Sequence, residues 1–570
     1  MKVLILLLTL FLFQCSSNKK QRPIVTTLPP VTQCGSLTTD ALWYTSNQQA
    51  PVLSGLGNLH YTITTNNPTI QTYFDQGLIL AYAFNHAEAA RSFYTAIRMD
   101  STCAMCYWGY AYVLGPNYNA GMEPDNYVRA YEAIQKSIAL SENTSAKEKE
   151  LIFALSKRYV KEPIENRRPL DSLYSLEMQK LHTSYPEDPE IAALYVESIM
   201  NLHPWDLWFK DGQPKPWTPA IISVIEGLIK KYPDHPGFHH FYIHAVEASF
   251  NPGRGLESAR RFDQGLVPNA GHLVHMSSHI YIRTGNYHEG SLSNLHAVKV
   301  DSNYVTTCHA QGMYPLAYFP HNFHFLAATA TLEGKQDWAI MGAEKVSAHA
   351  NKELMKQPMF ATFQHYYLIP YFVEVKFGLW DSILNRNEPM ENLPYVKAIR
   401  NYARGFAYLG KRELSKSKEA LSQLELASKD TILEGMTIWG INSVLDIVHI
   451  AIKVLHAEIL AKEGDYTNSI KSLYEAVNIE DHLNYNEPPD WFFSVRHELG
   501  AILLENKKYD EAINVYLEDL KWLPQNGWAQ HGLRKAYIEK KDKKRLTAIE
   551  QEIQQSWKYA DIKLQSSRIL

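Results

Sequence analysis

The chain has 570 residues, 45% hydrophobic and 20% charged, a globular composition that excludes disorder as the dominant state. Its 56 Lys and Arg stand against 60 Asp and Glu, a formal net charge of -4, so no sequence-independent attraction for a phosphate backbone is built in and no nucleic-acid partner is expected. Five cysteines are too few to staple a small secreted scaffold, and a single apolar run at the N-terminus excludes a multi-span membrane protein.

That run, Val3 to Phe13, follows Lys2 and is too short to span a bilayer; it has the length of the apolar region of an export signal. Cys15 then stands where a small-residue cleavage site would lie, and the segment resembles a bacterial lipoprotein signal, although Gln14 occupies a position where that motif prefers a small residue. The resemblance implies a signal peptide over residues 1–15, a lipid on Cys15, and a mature protein held at the bacterial cell envelope facing the periplasm or the exterior. Plain secretion with cleavage nearby is the alternative. Residues 16–67 are rich in Ser, Thr, Pro and Gln with little periodicity, and are expected to form a tether or N-terminal extension.

The next feature is Cys103-Ala-Met-Cys106 at an expected helix start. Such a pair can be redox-active, bridged, metal-binding, or merely two small packing residues. No histidine follows Cys106, so covalent haem attachment is not indicated.

Between residues 68 and 555 a repeat emerges. Gly77, Ala89, Phe93 and Ala96 are separated by 12, 4 and 3 residues, and Gly500, Ala512 and Tyr516 repeat the first two steps before Pro524, Trp528 and Gly532. Small residues let two antiparallel helices approach, a large one fills the gap, and proline stops the second helix. Ser278 with Gly285, Ala327 with Gly334, Tyr371 with Gly378 and Ala457 with Gly464 each place a glycine seven residues after the small-residue position, where a helix end needs a left-handed backbone. The pattern resembles tetratricopeptide repeats (TPR). It implies an all-α fold, a TPR-like solenoid of helical hairpins made irregular by an insertion around Tyr304 to Tyr318. We divide it into residues 68–235, a histidine-rich part 236–385, and 386–570. Phe74-Asp-Gln-Gly77, Phe84-Asn-His86-Ala-Glu-Ala89 and Leu114-Gly-Pro-Asn117 also resemble a group of exported bacterial TPR proteins without an established activity.

Residues 235–324 hold 12 of the 23 histidines, where an even spread would place about four. His240, His244 and Glu247 share a helical face through spacings of four and three, as do His272, His275 and His279. His321 and His324 follow Pro320 in a first helical turn. His275 and His324 lie three residues before their small-residue positions, and His244 does so if Glu247 takes that position; His272, His321 and His365 lie six before. The TPR resemblance implies that these offsets face the concave side. Stacked imidazoles and a carboxylate from neighbouring helices suit zinc, copper or iron better than calcium or magnesium. We therefore expect His244, His275 and His324 as first ligands, with His240, Glu247, His272, His279 and His321 completing or orienting the site and, if a coordination position stays open, Tyr281 or an unligated histidine as a proton donor nearby. The competing expectation is that Tyr242, Tyr281 and Tyr318 simply satisfy these histidines by hydrogen bonding.

No pattern specifies a substrate or catalytic residues, and a His-Glu-x-x-His motif is absent. The sequence thus supports a metal-dependent envelope protein, enzyme or carrier. Two alternatives stand beside it: a TPR scaffold holding a protein or peptide in its groove, and a glycan-capturing lipoprotein using Trp205, Trp208 and Trp217.

Overall fold

The computed structural model describes residues 41–308, 310 and 312–570. The export signal, Cys15, Cys34 and His309 lie outside the described residues. Within them the chain is an all-α solenoid of helical hairpins, with 25 α-helices and one two-residue ladder pairing Thr437–Ile438 with Asn442–Ser443.

The expected packing rule is visible at atomic distance. In the first hairpin, Pro68–Tyr82 followed by His86–Met99, Phe93 is wedged between the glycine of its own first helix and that of the next. A Cβ on Gly77 would lie 2.6 Å from the Phe93 ring, and one on Gly109, in helix Ala104–Leu114, would lie 2.4 Å from it. Tyr516 sits likewise between Gly500 and Gly532, at 2.3 and 2.2 Å from the Cβ each would carry. The four glycines that follow the small positions, Gly285, Gly334, Gly378 and Gly464, all have positive φ, between 67° and 87°.

The first helices of successive hairpins also touch one another and so form an inner layer. Pro236–Val246, Gly271–Thr284, Phe319–Leu332 and Ala361–Phe377 belong to it, and Pro236–Val246 additionally reaches back to Pro68–Tyr82. The C-terminal hairpins close onto the same layer: Trp528 Nε1 donates to the Thr331 carbonyl (2.8 Å), and Arg283 donates to the Trp522 carbonyl (2.6 Å). The histidines therefore lie inside the molecule instead of on an open concave surface. The buried apolar residues form two clusters that meet within helix Gly271–Thr284, between Tyr281 and Ile282.

Part of the extension before residue 68 packs against the repeats. Residues 50–67 are laid along the first hairpin: the Ala50 amide donates to Thr95 Oγ1 (3.0 Å), Leu53 to Gln76 Oε1 (2.7 Å), and Gly55 accepts from the Asn269 amide (2.9 Å). Buried Leu56 and Ile63 account for this, because they supply apolar surface that a free tether would leave in water.

Candidate metal centre

Helix Pro236–Val246 and its N-cap divide their imidazoles between structural and convergent faces. In Pro236–Val246, His235 caps the helix by accepting from the Phe238 amide (3.3 Å), and His239 spends both nitrogens on Ser258 Oγ (2.9 Å) and the Pro233 carbonyl (2.8 Å). His240 and His244, on the other face, point inward. Helix Gly271–Thr284 starts where Asp301 packs so closely that a Cβ on Gly271 would lie 1.9 Å from its Oδ1. Asp301 accepts from Tyr314 Oη (2.8 Å) and Asn322 Nδ2 (2.7 Å), while Tyr314 Oη accepts from the His272 amide (3.1 Å). One buried carboxyl thus braces the helices that carry His272 and His321; burial pushes it up to about 7, against the pull of those two hydrogen bonds.

The decisive feature is which ring nitrogens have partners. A carbonyl or carboxylate oxygen can only accept, so a nitrogen facing one carries the proton. His240 Nδ1 faces the Tyr82 carbonyl at 2.6 Å, His244 Nδ1 faces Glu247 Oε1 at 2.8 Å, and His279 Nδ1 faces Glu247 Oε2 at 2.6 Å. Asn294 donates its Nδ2 to the Gly290 carbonyl (2.8 Å), which turns its Oδ1 to His275 Nδ1 at 2.8 Å. Four rings are held in one tautomer by oriented acceptors, the arrangement found around metal-ligating histidines. Their Nε2 atoms are left with lone pairs. Those of His240 and His244, and both nitrogens of His272, are buried without a partner. Those of His275 and His279 face each other at 2.9 Å, which requires a proton or a cation between two lone pairs.

Donor atoms of His240, His244 and His272 lie within 4.8 Å of one another, and so do those of His275, His279 and His321. Glu247 joins the two groups, and His244, Glu247 and His279 also fall within 4.8 Å. Burial and the neighbouring imidazoles hold His240, His272, His275 and His321 well below the usual histidine range, which keeps them in the neutral form that binds metal. Burial alone would raise the Glu247 carboxyl, but His279 and His244 hold it down to about 2, so it is the anion of the cluster.

His324 does not join this arrangement. It stacks on Phe492 (ring centroids 5.1 Å) and approaches His365 (5.7 Å) in the next gap between inner helices, while His321 takes the place beside His275 at 4.9 Å. A π-helical turn at Tyr314–Tyr318 immediately precedes this helix. Tyr281 points away and donates to Asp263, and Tyr242 donates to Glu226 (2.6 Å), so neither satisfies a cluster imidazole or stands by as its proton donor. Tyr318 instead presents its ring edge to His272 at 5.0 Å.

Several groups over the cluster come from distant sequence. Phe84 lies 4.4 Å from His240 between ring centroids, and Tyr118 and Trp205 lie 5.1 and 5.6 Å from His244. Phe84 and Trp205 are both at positive φ, 52° and 56°, a cost a bulky side chain bears only where its surroundings hold it. Phe84, Tyr318 and His86 border a cavity of about 110 Å³ beside the cluster. Buried Glu487, on a C-terminal loop, is raised to about 7 by burial, although Arg283 and the adjacent Tyr485 work against the rise. Of these, Tyr118 and Glu487 carry no sequence signal, while Phe84, His86 and Trp205 stand in motifs that give no sign of a place beside the cluster.

The other expectations resolve as follows. Cys103 and Cys106 are joined in a disulfide with Cα atoms 5.4 Å apart, so in this state they offer no thiolate to a metal. Trp208 and Trp217 donate their indole N–H groups to the Ala245 and Asp206 carbonyls, both at 2.8 Å, and with Trp205 over His244 they are packing groups of a loop instead of an open sugar platform.

No family model matches the chain, and no curated protein matches it. Among solved structures, a human IFIT1 dimer with m7Gppp-AAAA is similar with a TM-score of 0.32 at 11% identity, covering 89% of this chain and 92% of that one. Yeast Tom70 is similar with a TM-score of 0.27 at 13% identity, covering 85% and 93%, and the P58(IPK) TPR domain with 0.19 at 12%, covering 84% and 99%. Likeness at these scores bears on no ligand or activity of this chain.

Proposed function

We propose that the protein is an exported helical-repeat metalloprotein, lipid-anchored through Cys15, whose inner histidine cluster holds a transition metal as an enzyme or a metal carrier. The observation that carries the metal reading is the set of buried, partnerless imidazole nitrogens of His240, His244 and His272. A proton shared between His275 and His279 would account for that one contact, but it leaves these three uncompensated, and a buried polar atom without a partner costs about 1–3 kcal/mol. Bound zinc, copper or iron would satisfy them all and supply a Lewis-acid or redox centre; His240, His244, His272, His275, His279 and His321 are the residues that would hold it. Glu247, Asn294 and the Tyr82 carbonyl would orient the rings, and Phe84, Tyr118 and Trp205 would exclude water.

Metal analysis of tag-free full-length protein tests the reading. Stoichiometric zinc, copper or iron, together with a fall in melting temperature on chelation, is the expected result. Metal-free protein that is indifferent to chelator and to added metal would sink it. A second reading, a scaffold for a protein partner, is favoured by an open groove of about 700 Å³ on the single hairpin Val444–Lys462 and Tyr466–His482, lined by Lys453, Ile470, Tyr474 and Asn478.

A further inference from the structure

Resting on the reading that the cluster holds metal, we propose that it holds two ions, one in each histidine triad, with Glu247 set between them. The two triads are built by one rule. Each takes a pair of histidines four residues apart on one inner helix and a single histidine from the next inner helix: His240 and His244 with His272, then His275 and His279 with His321. The second triad is therefore the first advanced by one hairpin, and the two share no residue. Helix Gly271–Thr284 contributes to both, through His272 and, three and seven residues on, His275 and His279. This places the triads side by side, with ring centroids 5.6 Å apart for His244 and His279 and 5.8 Å for His272 and His275.

Three neutral imidazoles with a position left open is the donor set of a catalytic-type zinc site and suits copper equally. Six such donors exceed what a four-coordinate ion uses. Glu247 could compete as a ligand, because its carboxylate also lies within reach of His244 and His279. Its two oxygens are, however, already occupied by the Nδ1 protons of those rings, one in each triad. An ion held there through the Nδ1 atoms of both rings would displace the two protons that now orient each ring toward its own triad. Glu247 instead serves both sites at once: it orients one ligand of each and puts a negative charge between two cations, where it lowers their repulsion.

The test is stoichiometry on the full-length, chelator-stripped protein, titrated separately with Zn²⁺ and with Cu²⁺ and freed of unbound ions by gel filtration. Wild type should retain about two ions per chain, and His240→Ala and His321→Ala about one each, with helical circular dichroism checking each variant. One ion in wild type, lost entirely in both variants, overturns the two-ion inference and leaves the metal reading intact; no ion in wild type overturns both. If a variant fails to fold, electron paramagnetic resonance of the copper-saturated wild type decides: a spin-coupled pair supports two adjacent sites, and one isolated, fully integrating Cu²⁺ signal per chain overturns them.

Discussion

Glu247 is the residue whose chemistry reaches furthest. Its carboxylate accepts from His244 at 2.8 Å and from His279 at 2.6 Å, so one side chain sets the tautomer of both rings. Glu247→Gln keeps the volume but can accept from only one of them, since its amide nitrogen must donate. We expect metal affinity to fall by about 10–100-fold, the usual cost of losing such an orienting group, as read by competition with a chromogenic chelator. Unchanged affinity would show that Glu247 is not an orienting group. Tyr82 contributes through its carbonyl, so substituting its side chain leaves the contact to His240 in place.

At the scale of the helix, the repeat depends on aromatic wedges seated against glycines. Gly109→Ala drives a methyl group into Phe93, with no flexible chain end to yield, and is expected to cost about 1–3 kcal/mol, visible as a lower urea midpoint. Gly121→Ala is the matched control. Nothing lies within 4 Å of the Cβ it would add, so its effect should stay within about 0.5 kcal/mol. Equal effects from the two would mean that close helix approach is not what Gly109 provides. The same regularity spaces the metal ligands, because an inner helix repeats its inward face every three or four residues.

At the scale of the whole molecule, burying so many neutral imidazoles makes stability depend on pH. The folded-state values of His240, His272, His275 and His321 lie well below the usual range, His365 is pushed down to about 3 and His86 to about 4, all chiefly by burial. Below about pH 6.5 the unfolded chain therefore takes up protons that the folded chain refuses. The contribution is complete above that pH and is lost as pH falls toward the folded values, by up to about 1.4 kcal/mol per pH unit for each such histidine. The raised carboxyls of Asp301, Glu458, Glu480, Glu487 and Asp490 act with the opposite sign over the same range and offset part of this loss, but the depressed histidines outnumber them, so metal-free protein should melt at lower temperature at pH 4 than at pH 7. Bound metal should steepen the dependence, because protons then compete directly for the ligands; histidine resonances that titrate near the ordinary value in folded metal-free protein would contradict neutral burial. For the anchor, Cys15→Ser should release the protein into the soluble fraction, and retention in the membrane fraction would rule against lipidation at this residue.

The sequence by itself determined the helical architecture and which faces carry the histidines, since both depend on spacings of three, four, seven and twelve residues within single hairpins. Gly77 and Phe93 are close in sequence and meet across a single hairpin, and His275 and His279 are related by helix geometry alone. Which imidazoles share a site was decided only in three dimensions. His275 and His324 occupy equivalent offsets, yet the curl of the solenoid brings His321 to His275 and leaves His324 with Phe492. The Tyr82 carbonyl that orients His240 lies 158 residues away, and Phe84, Tyr118, Trp205 and Glu487 arrive from turns outside the histidine-bearing helices. Closure of the inner layer by Trp528 and Arg283 turned an expected open groove into an interior. Such contacts arise from the accumulated rotation between hairpins, and no local spacing encodes that rotation.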